Sequence, residues 1–464
     1  MRFFKSYAKL ASSIAMAAGL AVTPAQAQVA ACRFVLGFQT LHSALASVAG
    51  DCVDDQASGG NGDALQHTTK GLLVWRKADN WTAFTDGFRT WVNGPNGIQQ
   101  RLNTQRFPWE WGVQHSAPPQ SALTPTNPSS SVIATGLEVP WALSFAPDGR
   151  AFVTERVGRI RIVQSGVLQA GVWATLPVAA RPGNEGGLLG LAVDSDFSAN
   201  HFLYVYYTYA GGSGLANRIV RMVDSNGSGT VDRVLLDGIP AGGNHDGGRL
   251  AFGPDGKLYA TTGEAGVPAL AQDLGSLGGK ILRLERDGSV PADNPFAGSY
   301  VYSLGHRNVE GIAWHPEGGL YETEHGPSGA APFCCNDEIN LIDPGVNYGW
   351  PAVYGNQSDP SFRDALLQSG AATTWAPTGA AFIRQGPLAG SLLFTGLQSQ
   401  ALHRVVFGAD GRTVLFQEQL LRRQIGRLRD VEPAPDGLFW VLTSNRDGRG
   451  SPSGDDDRIV RVSW

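Results

Sequence analysis

Residues 145–149 read Phe145-Ala146-Pro147-Asp148-Gly149, an apolar residue followed by a turn sequence, and this pattern decides the fold because it returns along the chain. In such a turn Pro presets φ, Asp bonds its own backbone and Gly accepts a positive φ, so each copy predicts a tight hairpin. The other copies are Phe252-Gly253-Pro254-Asp255-Gly256, Trp314-His315-Pro316-Glu317-Gly318, Phe407-Gly408-Ala409-Asp410-Gly411 and Ala434-Pro435-Asp436-Gly437, with a variant at Asp194-Ser195-Asp196-Phe197.

The six turns form an internal repeat whose unit is one small sheet. A small sheet cannot bury both faces alone, and the stacking of such units around an axis is typical of a β-propeller. The 60 glycines and 27 prolines of the 464-residue chain agree with many short strands and turns. Six units over residues 132–464 give about 55 residues each, enough for four strands. We therefore predict an all-β fold, a six-bladed β-propeller of four-stranded antiparallel blades.

The N-terminal segment, residues 1–27, predicts a secretory signal peptide. Arg2, Lys5 and Lys9 precede an apolar stretch at residues 10–22, and Ala25-Gln26-Ala27 supplies small residues at the cleavage spacing. The apolar stretch is shorter than a membrane span, and no other segment offers about 18 uncharged apolar residues. We therefore expect an exported protein, periplasmic or extracellular, with no transmembrane segment.

Composition divides the mature chain into three parts. Residues 28–116 contain five tryptophans, which we expect to form the core of a small N-terminal module of unknown role rather than a ligand-binding face. Residues 117–131 are rich in Pro, Ser and Thr and predict a semi-extended linker. Residues 132–464 carry the repeats and are the expected propeller domain.

The net charge of -5 offers no basic field, which argues against a nucleic-acid partner.

Four cysteines occur, and in an exported chain they are expected in disulfides. Cys32 and Cys52 would close a small loop near the mature N-terminus. Cys334 and Cys335 are adjacent, and three alternatives stay open for them: a vicinal disulfide, pairing with the other two cysteines, or buried thiols. A zinc site made by cysteines is not expected, because no Cys-x-x-Cys pair with a partner pair occurs.

Candidate catalytic residues lie on loops at the ends of strands. His245, within Asn244-His245-Asp246-Gly247-Gly248, precedes one repeat and is placed to act as a base near neutral pH. Glu264, at the end of the next strand, is placed to hold the imidazole in its basic tautomer. The alternatives are a surface histidine in a glycine-rich turn and a solvated glutamate.

Two further patterns point to an anionic ligand and a hard cation. Arg427 and Arg429 are spaced i, i+2, so on a strand both guanidinium groups face one side and can grip carboxylates; the alternative is a solvated edge strand. Oxygen-rich segments follow His306 and His325 and suit calcium better than a transition metal. A zinc site made by His245, His306 and His325 is disfavoured, because their spacing lacks an i, i+4 pair.

A series of short motifs runs in order along residues 132–464: Glu185-Gly186-Gly187-Leu188-Leu189-Gly190, Asn244-His245, Gly248-Arg249-Leu250, Thr262-Gly263-Glu264, Gly305-His306-Arg307-Asn308, Gly326-Pro327, Asp337-Glu338-Ile339-Asn340-Leu341, Asn347-Tyr348-Gly349-Trp350-Pro351 and Arg427-Leu428-Arg429-Asp430. Together they resemble the motifs of the glucose and sorbosone dehydrogenase family. The resemblance implies a six-bladed propeller with a quinone over its top face. It also implies oxidation of aldoses with pyrroloquinoline quinone and calcium, and an external electron acceptor.

The resemblance implies a role for each matching residue. His245 would be the general base for the anomeric hydroxyl, Glu264 would orient it, and Arg307 would stabilise the developing negative charge. The cofactor would be contacted by Arg307, Asn308, Thr374, Arg427 and Arg429, and the sugar by Glu185, Asn244 and Arg307. One calcium would be bound by Gly326 and Pro327, and a second calcium by Glu338 and Tyr348. One departure is Gln398, which stands where glucose enzymes of the family carry a cofactor-binding lysine.

Two other functions stay open: a calcium-dependent sugar lactonase on a propeller, and a non-catalytic propeller binding module. A lactonase gives no clear task to the two arginines or to the histidine and its carboxylate. The binding module is disfavoured by the presence of His245, Arg307, Arg427 and Arg429 together.

Overall fold

The computed structural model describes residues 32–58, 63–76, 81–94, 97–102, 115–181, 183–212, 214–327, 334–355 and 357–464. The chain divides into two compact units, Met1–Gly112 and Val113–Trp464. The predicted signal peptide, residues 1–27, lies outside the described residues. Within these ranges no helix is long and apolar enough to cross a membrane.

The first unit packs one helix, α1 (Leu36–Ala49), against an antiparallel sheet of six described strands. In the order of the sheet the strands are β1 (Ala57–Ser58), β2 (Ala64–Thr68), β3 (Gly71–Trp75), β4 (Thr82–Thr85), β5 (Arg89–Gly94) and β6 (Gly97–Leu102). Four of the large side chains in the core are buried: Phe38, Leu41, Leu73 and Phe84.

The described tryptophans of this unit, Trp75, Trp81 and Trp91, are not among its buried core residues, contrary to the sequence-based expectation. Trp75 and Trp91 are only partly buried and pack against the core from its edge. Leucine and phenylalanine side chains from α1, β3 and β4 already fill the space between helix and sheet. Trp109 and Trp111 lie outside the described residues.

The disulfides decide among the alternatives for the four cysteines. Cys32 is bonded to Cys52, and Cys334 is bonded to its neighbour Cys335. No described cysteine is free.

Six antiparallel sheets, numbered I to VI, make up the described part of the second unit. Their strands, in chain order, are β7 (Ser129–Ala134), β8 (Pro140–Phe145), β9 (Arg150–Glu155), β10 (Arg159–Gln164), β11 (Val167–Leu168), β12 (Ala174–Thr175), β13 (Leu188–Val193), β14 (Phe202–Gly211), β15 (Gly214–Ser225), β16 (Ser228–Pro240), β17 (Leu250–Phe252), β18 (Leu258–Thr261), β19 (Lys280–Leu284), β20 (Val301–Leu304), β21 (Val309–Trp314), β22 (Leu320–Glu324), β23 (Glu338–Ile342), β24 (Leu367–Gln368), β25 (Pro377–Phe382), β26 (Ser391–Gly396), β27 (Ala401–Phe407), β28 (Val414–Leu420), β29 (Leu428–Pro433), β30 (Phe439–Thr443) and β31 (Ile459–Ser463). Sheet I is β8–β12, II is β13–β16, III is β17–β20, IV is β21–β24, V is β25–β28, and VI is β29–β31 with β7. A short helix, α2 (Phe197–Asn200), and two 3₁₀ turns, Gln120–Leu123 and Pro268–Ala271, complete the regular elements.

The first strands of successive sheets contact one another, in the order β8, β13, β17, β21, β25 and β29, and β29 contacts β8 again. These strands are mostly buried, as at Leu188–Val193, where five of the six residues are inaccessible to solvent. Each sheet thus buries its first strand against its neighbours, as the repeat predicted. The all-β class and the propeller-like arrangement of antiparallel sheets are confirmed; five of the six described sheets have four strands, and sheet I has a fifth, β12.

Five of the six repeat turns join the first and second strands of a sheet, in I, II, III, IV and VI. In the turn of sheet I the Gly149 amide donates to Ala146 O at 3.0 Å, with Gly149 at φ 86°. The copy at residues 409–411 instead joins β27 to β28, the third and fourth strands of sheet V. The copies therefore do not all occupy the same position, because such a turn specifies a hairpin and not which hairpin of the sheet.

Residues 115–131 pack on the second unit, although their composition predicts a spacer. The Ser116 amide and hydroxyl both donate to the Glu317 carboxylate at 2.6 Å. Ala122 is buried, and the segment leads directly into β7, which pairs with β31. Polar groups of the segment find partners on the sheets, so a segment poor in large apolar residues is still held in place.

Arg404 anchors this segment from a fully buried position on β27. Its Nη1 donates to Ala122 O at 2.7 Å and its Nη2 to Thr124 O at 2.8 Å. Its Nε donates to Glu418 Oε1 at 2.6 Å, and Glu418 also accepts the Thr126 amide at 3.0 Å. One ion pair therefore holds three residues of the segment to sheet V.

We predict that Arg404→Met lowers the free energy of unfolding by about 3 kcal/mol, because it leaves a largely buried carboxylate without its partner. The control is Arg233→Met, whose side chain is 54% exposed and pairs with Asp232 at the surface. That variant should change stability by less than about 1 kcal/mol. Urea unfolding of both variants measures the difference, and equal stabilities would contradict the anchoring role.

Candidate active site

His245 lies on the loop between β16 and β17, in the left-handed region of backbone space at φ 59°. The loop approaches Gly263 so closely that a Cβ there would lie 1.9 Å from the His245 carbonyl oxygen. The Ala265 amide donates to the same carbonyl at 3.0 Å. Glycine at 263 therefore permits the close approach, which fixes His245 beside the residues that follow β18.

The structure brings His245 and Glu264 together. His245 Nδ1 lies 2.9 and 2.8 Å from the two carboxylate oxygens of Glu264. The Glu264 side chain is 2% exposed and the His245 side chain 13% exposed. A carboxylate at Nδ1 favours the proton on that atom, so in the neutral ring the lone pair lies on Nε2. Since no described residue bonds to Nε2, that atom is placed to accept a proton.

Arg307 is joined to Glu264 through the backbone, because the Glu264 amide donates to Arg307 O at 2.9 Å. The Arg307 amide donates to the Glu324 carboxylate, and Arg307 Nη1 donates to His325 O at 3.0 Å. Burial lowers the pKa of Arg307, and the negative charges of Glu264 and Glu324 oppose this effect. A guanidinium held in this way is suited to stabilise negative charge that develops beside the histidine.

Asn308 connects the His245 loop to sheet IV. Its Oδ1 accepts the Gly247 amide at 3.0 Å, and its Nδ2 donates to Glu310 Oε1 at 3.1 Å. The residue is 1% exposed, so its side chain is a fixed part of the wall of the site.

A pocket lined by charged side chains lies next to His245. The His245 amide donates at 2.9 Å to one of its lining residues, Glu185. Asn244, beside His245 in the chain, is exposed. The charged and titratable lining residues are Arg156, Glu185, Glu310, His325, Arg429, Asp447 and Arg449.

Three ion pairs organise these charges: Arg449 with Glu185 at 2.8 Å, Arg427 with Asp447 at 2.8 Å, and Arg429 with Glu310. Burial raises the pKa of Glu185, but hydrogen bonds from Arg449 and from the His245 amide outweigh it and lower the pKa to about 2. Glu185 is therefore an ionised acceptor at the edge of the site throughout the neutral range.

Arg427 and Arg429 both reach this pocket region. Arg429 lines the pocket, and Arg427 holds Asp447, which also lines it. The two arginines are 5% and 6% exposed, so the alternative of a solvated edge strand is wrong.

The structure ties Gly326 to Thr374 through Asp337. Asp337 Oδ1 accepts the Gly326 amide at 2.9 Å, and its Oδ2 accepts the Thr374 hydroxyl at 2.8 Å. Pro327 is the last described residue before a gap at residues 328–333. The predicted calcium segment and Thr374 therefore share one buried carboxylate.

Glu338 and Tyr348 are not joined through their side chains. The Tyr348 hydroxyl donates to Leu341 O at 2.7 Å and accepts the Asp343 amide at 2.8 Å, both further along the chain than Glu338. Glu338 faces Glu324 across the pairing of β22 with β23. Burial raises the pKa of Glu338 to about 8, and the negative charge of Glu324 adds to the effect.

The comparisons with known proteins agree with this geometry. The family model described as Glucose / Sorbosone dehydrogenase matches residues 137–453. Aldose sugar dehydrogenase of Escherichia coli is 33% identical over 350 residues, 70% of this chain and 92% of that protein. Quinoprotein glucose dehydrogenase B of Acinetobacter calcoaceticus is 35% identical over 278 residues, 53% of this chain and 57% of that protein. The PQQ-bound form of aldose sugar dehydrogenase from Streptomyces coelicolor is a solved structure that is 39% identical, aligns 73% of this chain with 99% of its own and has a TM-score of 0.66.

The chain belongs to the glucose/sorbosone dehydrogenase family. The resemblance seen in the motifs is thereby confirmed, and the chain is an oxidoreductase, like the named relatives. The matched range contains every predicted site residue, from Glu185 to Arg429, and leaves out the first unit.

Sequence reasoning missed several residues of this candidate site, because the residues that they bind lie far away in the sequence. Glu310 and Asp447 bind the two predicted arginines, yet neither stands in a pattern that points to them. Glu322 is a different case, since it stands two residues before Glu324 on one strand. His306, Glu322 and Glu324 offer ligand atoms within 4.8 Å of one another, and the alternation of the two glutamates was a usable signal.

Asp246, next to His245, is a buried carboxyl whose Oδ2 has no hydrogen-bond partner among the described residues. Its Oδ1 accepts Asn217 Nδ2 at 3.1 Å and the Gly242 amide at 3.2 Å. Burial raises the pKa of Asp246 to about 7, although these two hydrogen bonds oppose it. The protonated form is therefore favoured in the folded protein below about pH 7.

We predict that Asp246→Asn stabilises the protein at pH 8 by on the order of 2 kcal/mol and has little effect at pH 4. The pKa of Asp246 is about 7 in the folded protein and lower in the unfolded chain. The contribution of this carboxyl to the free energy of unfolding is therefore fully present below about pH 4 and is lost as pH rises through 7. Urea unfolding at both pH values measures the effect. Asp232→Asn, at a partly exposed site, is the control, and an Asp246→Asn effect that does not change with pH would contradict the prediction.

Proposed function

We propose that this chain is a six-bladed β-propeller enzyme that oxidises aldose sugars at the anomeric carbon to lactones, with pyrroloquinoline quinone and calcium. The observation that carries the proposal is the contact of His245 with Glu264 beside a pocket walled by arginines. Six blades are supported by the six described sheets and by the contact of β29 with β8. The names of the relatives, which include a quinoprotein and a PQQ-bound form, support the cofactor.

The donors of the pocket fit a planar cofactor that carries carboxylates. Arg429 Nε and His325 Nε2 are buried and have no hydrogen-bond partner among the described residues. A buried donor without an acceptor is destabilising, and a ligand carboxylate would supply acceptors. Guanidinium groups bind carboxylates through two parallel hydrogen bonds. In this proposal Arg427 and Arg429 hold the cofactor carboxylates, and Arg307, Asn308 and Thr374 complete the contacts.

Protein residues supply the proton transfer and the electrostatic stabilisation. His245 Nε2 takes the proton of the anomeric hydroxyl, and the Glu264 carboxylate stabilises the imidazolium that forms. Arg307 stabilises negative charge near the reacting oxygen. Glu185 and Asn244 bind sugar hydroxyls at the edge of the site. The quinone, when bound, would supply the two-electron oxidant for the anomeric carbon, and calcium would polarise it.

Calcium fits the oxygen atoms of the predicted segments. The carbonyl oxygens of Gly326 and Pro327 would hold the ion next to the cofactor, since calcium prefers oxygen ligands and accepts backbone carbonyls. Glu338 would contribute a carboxylate to the second, structural ion. Because the Tyr348 hydroxyl is engaged at Leu341 and Asp343, Tyr348 would serve that ion through its backbone carbonyl.

Export and an external electron acceptor belong to the same proposal. Residues 1–27 have the pattern of a signal peptide, and the pairing of Cys32 with Cys52 suits an oxidising compartment. Residues 28–116 would be a separate module ahead of the catalytic unit. The two electrons taken from the sugar leave to an acceptor outside the protein, which a redox dye replaces in an assay.

We predict that the purified protein, loaded with the quinone and calcium, reduces a redox dye when an aldose is added. His245→Gln should lower kcat/KM by at least about 100-fold, because the general base is lost. Binding of the quinone, followed by fluorescence, should remain as in the wild type. His201→Gln is the control, because His201 is exposed beside α2 and away from the pocket residues.

Two results would contradict the proposal. If the wild-type protein does not bind the quinone, the dehydrogenase proposal fails. If it binds the quinone but His245→Gln retains full activity, the assignment of the base fails. Calcium-dependent hydrolysis of a sugar lactone without the quinone would favour a lactonase instead.

A further inference from the structure

Arg156 differs from the other arginines of the pocket because it has no carboxylate partner among the described residues. It lies in the turn between β9 and β10, and its Nη2 donates to Asp447 O at 3.4 Å, a long hydrogen bond. Arg427, Arg429 and Arg449 each bind a carboxylate instead.

The backbone holds Arg156 at the pocket. Its amide donates to Val139 O at 3.0 Å, and its carbonyl accepts the Leu188 amide at 3.0 Å. A Cβ on Gly187 would lie 2.3 Å from the Arg156 carbonyl oxygen and 2.6 Å from its Cγ. The glycine at 187 therefore leaves the space that the stem of Arg156 occupies.

The charges of the pocket leave Arg156 unmatched. The three ion pairs each cancel one positive charge against one negative charge, so the remaining guanidinium is that of Arg156. Burial lowers the pKa of Arg156 and the positive charge of Arg429 lowers it further, while the negative charges of Asp447 and Glu185 oppose this effect. Because Asp447 and Glu185 are already paired with Arg427 and Arg449, a partly buried guanidinium at this position would be stabilised by a bound anion.

We propose that Arg156 is an additional cofactor-binding residue that takes up a carboxylate of the quinone. This inference rests on the proposed function. The cofactor carries three carboxylates, so there is a ligand group for a further cation beside Arg427 and Arg429, whose charges are shared with Asp447 and Glu310. Arg156 is the pocket arginine whose guanidinium group binds no carboxylate of the described residues and can therefore bind a carboxylate of the ligand. An aldose is uncharged, so it could not supply the negative charge that the Arg156 guanidinium lacks.

The test is a fluorescence titration of the apo protein with pyrroloquinoline quinone in the presence of calcium. Arg156→Gln should raise Kd by about 10- to 100-fold, the loss expected for one charge-assisted hydrogen-bonded contact. Arg156→Lys keeps the positive charge but cannot form two parallel hydrogen bonds to a carboxylate, so it should raise Kd by a smaller factor. Arg221→Gln is the control, because Arg221 is similarly enclosed, with 12% of its side chain exposed, but pairs with Asp232.

A second ligand separates a direct contact from a change in the fold. The trimethyl ester of the quinone lacks the charged carboxylates, so it should bind the wild type and Arg156→Gln with the same Kd. If Arg156→Gln does not fold, as judged by circular dichroism, Arg156→Lys carries the test.

The outcomes separate this inference from the proposed function. Failure of the wild-type protein to bind the quinone overturns both. Wild-type binding with an unchanged Kd in Arg156→Gln, or in Arg156→Lys where only that variant folds, overturns the role of Arg156 and leaves the dehydrogenase proposal standing. An equal loss of affinity for the ester and for the free acid also overturns it.

Discussion

Strand β7 pairs with β31, with Ala134 opposite Ile459 and Ser129 opposite Ser463. A segment from the start of the second unit thereby becomes the outer strand of sheet VI, whose first strand, β29, contacts β8 of sheet I. The pairing joins residues that are far apart in the chain, so its formation closes a long loop and costs more chain entropy than a local hairpin. The pocket depends on it, because its charged residues come from sheets or loops on both sides of this junction.

The charged contacts of the pocket mostly run between sheets. Arg449, after β30, binds Glu185, before β13; Arg429, on β29, binds Glu310, on β21. Arg156 reaches from sheet I to the carbonyl of Asp447 after β30. These contacts hold the sheets together at the site, and of them the Arg429–Glu310 pair is buried, so that removing one partner of it costs about 3–5 kcal/mol. Affinity for an anionic ligand and cohesion of the sheets therefore involve the same side chains.

Local signals explain what the sequence predicts well. The hairpin turns are encoded within five residues, and His245, Glu264 and Arg429 stand in short motifs, so both the sheets and much of the site follow from them. The errors concern non-local packing: the attachment of residues 117–131 and the described tryptophans of the first unit. The carboxylates that bind the arginines escaped for the same reason, since contacts between residues far apart in the sequence leave no pattern along the chain.

Glu264 unites the two groups that act on the substrate in the proposed reaction. Its carboxylate holds His245 Nδ1, its amide donates to the Arg307 carbonyl, and its Oε2 accepts the Gly266 amide at 2.8 Å. The glutamate is therefore fixed at three points, and its side chain is long enough for both oxygens to reach the imidazole. A base and a guanidinium attached to one rigid residue keep their separation without a conformational change. Such preorganisation is what lowers the barrier for a proton transfer coupled to charge development.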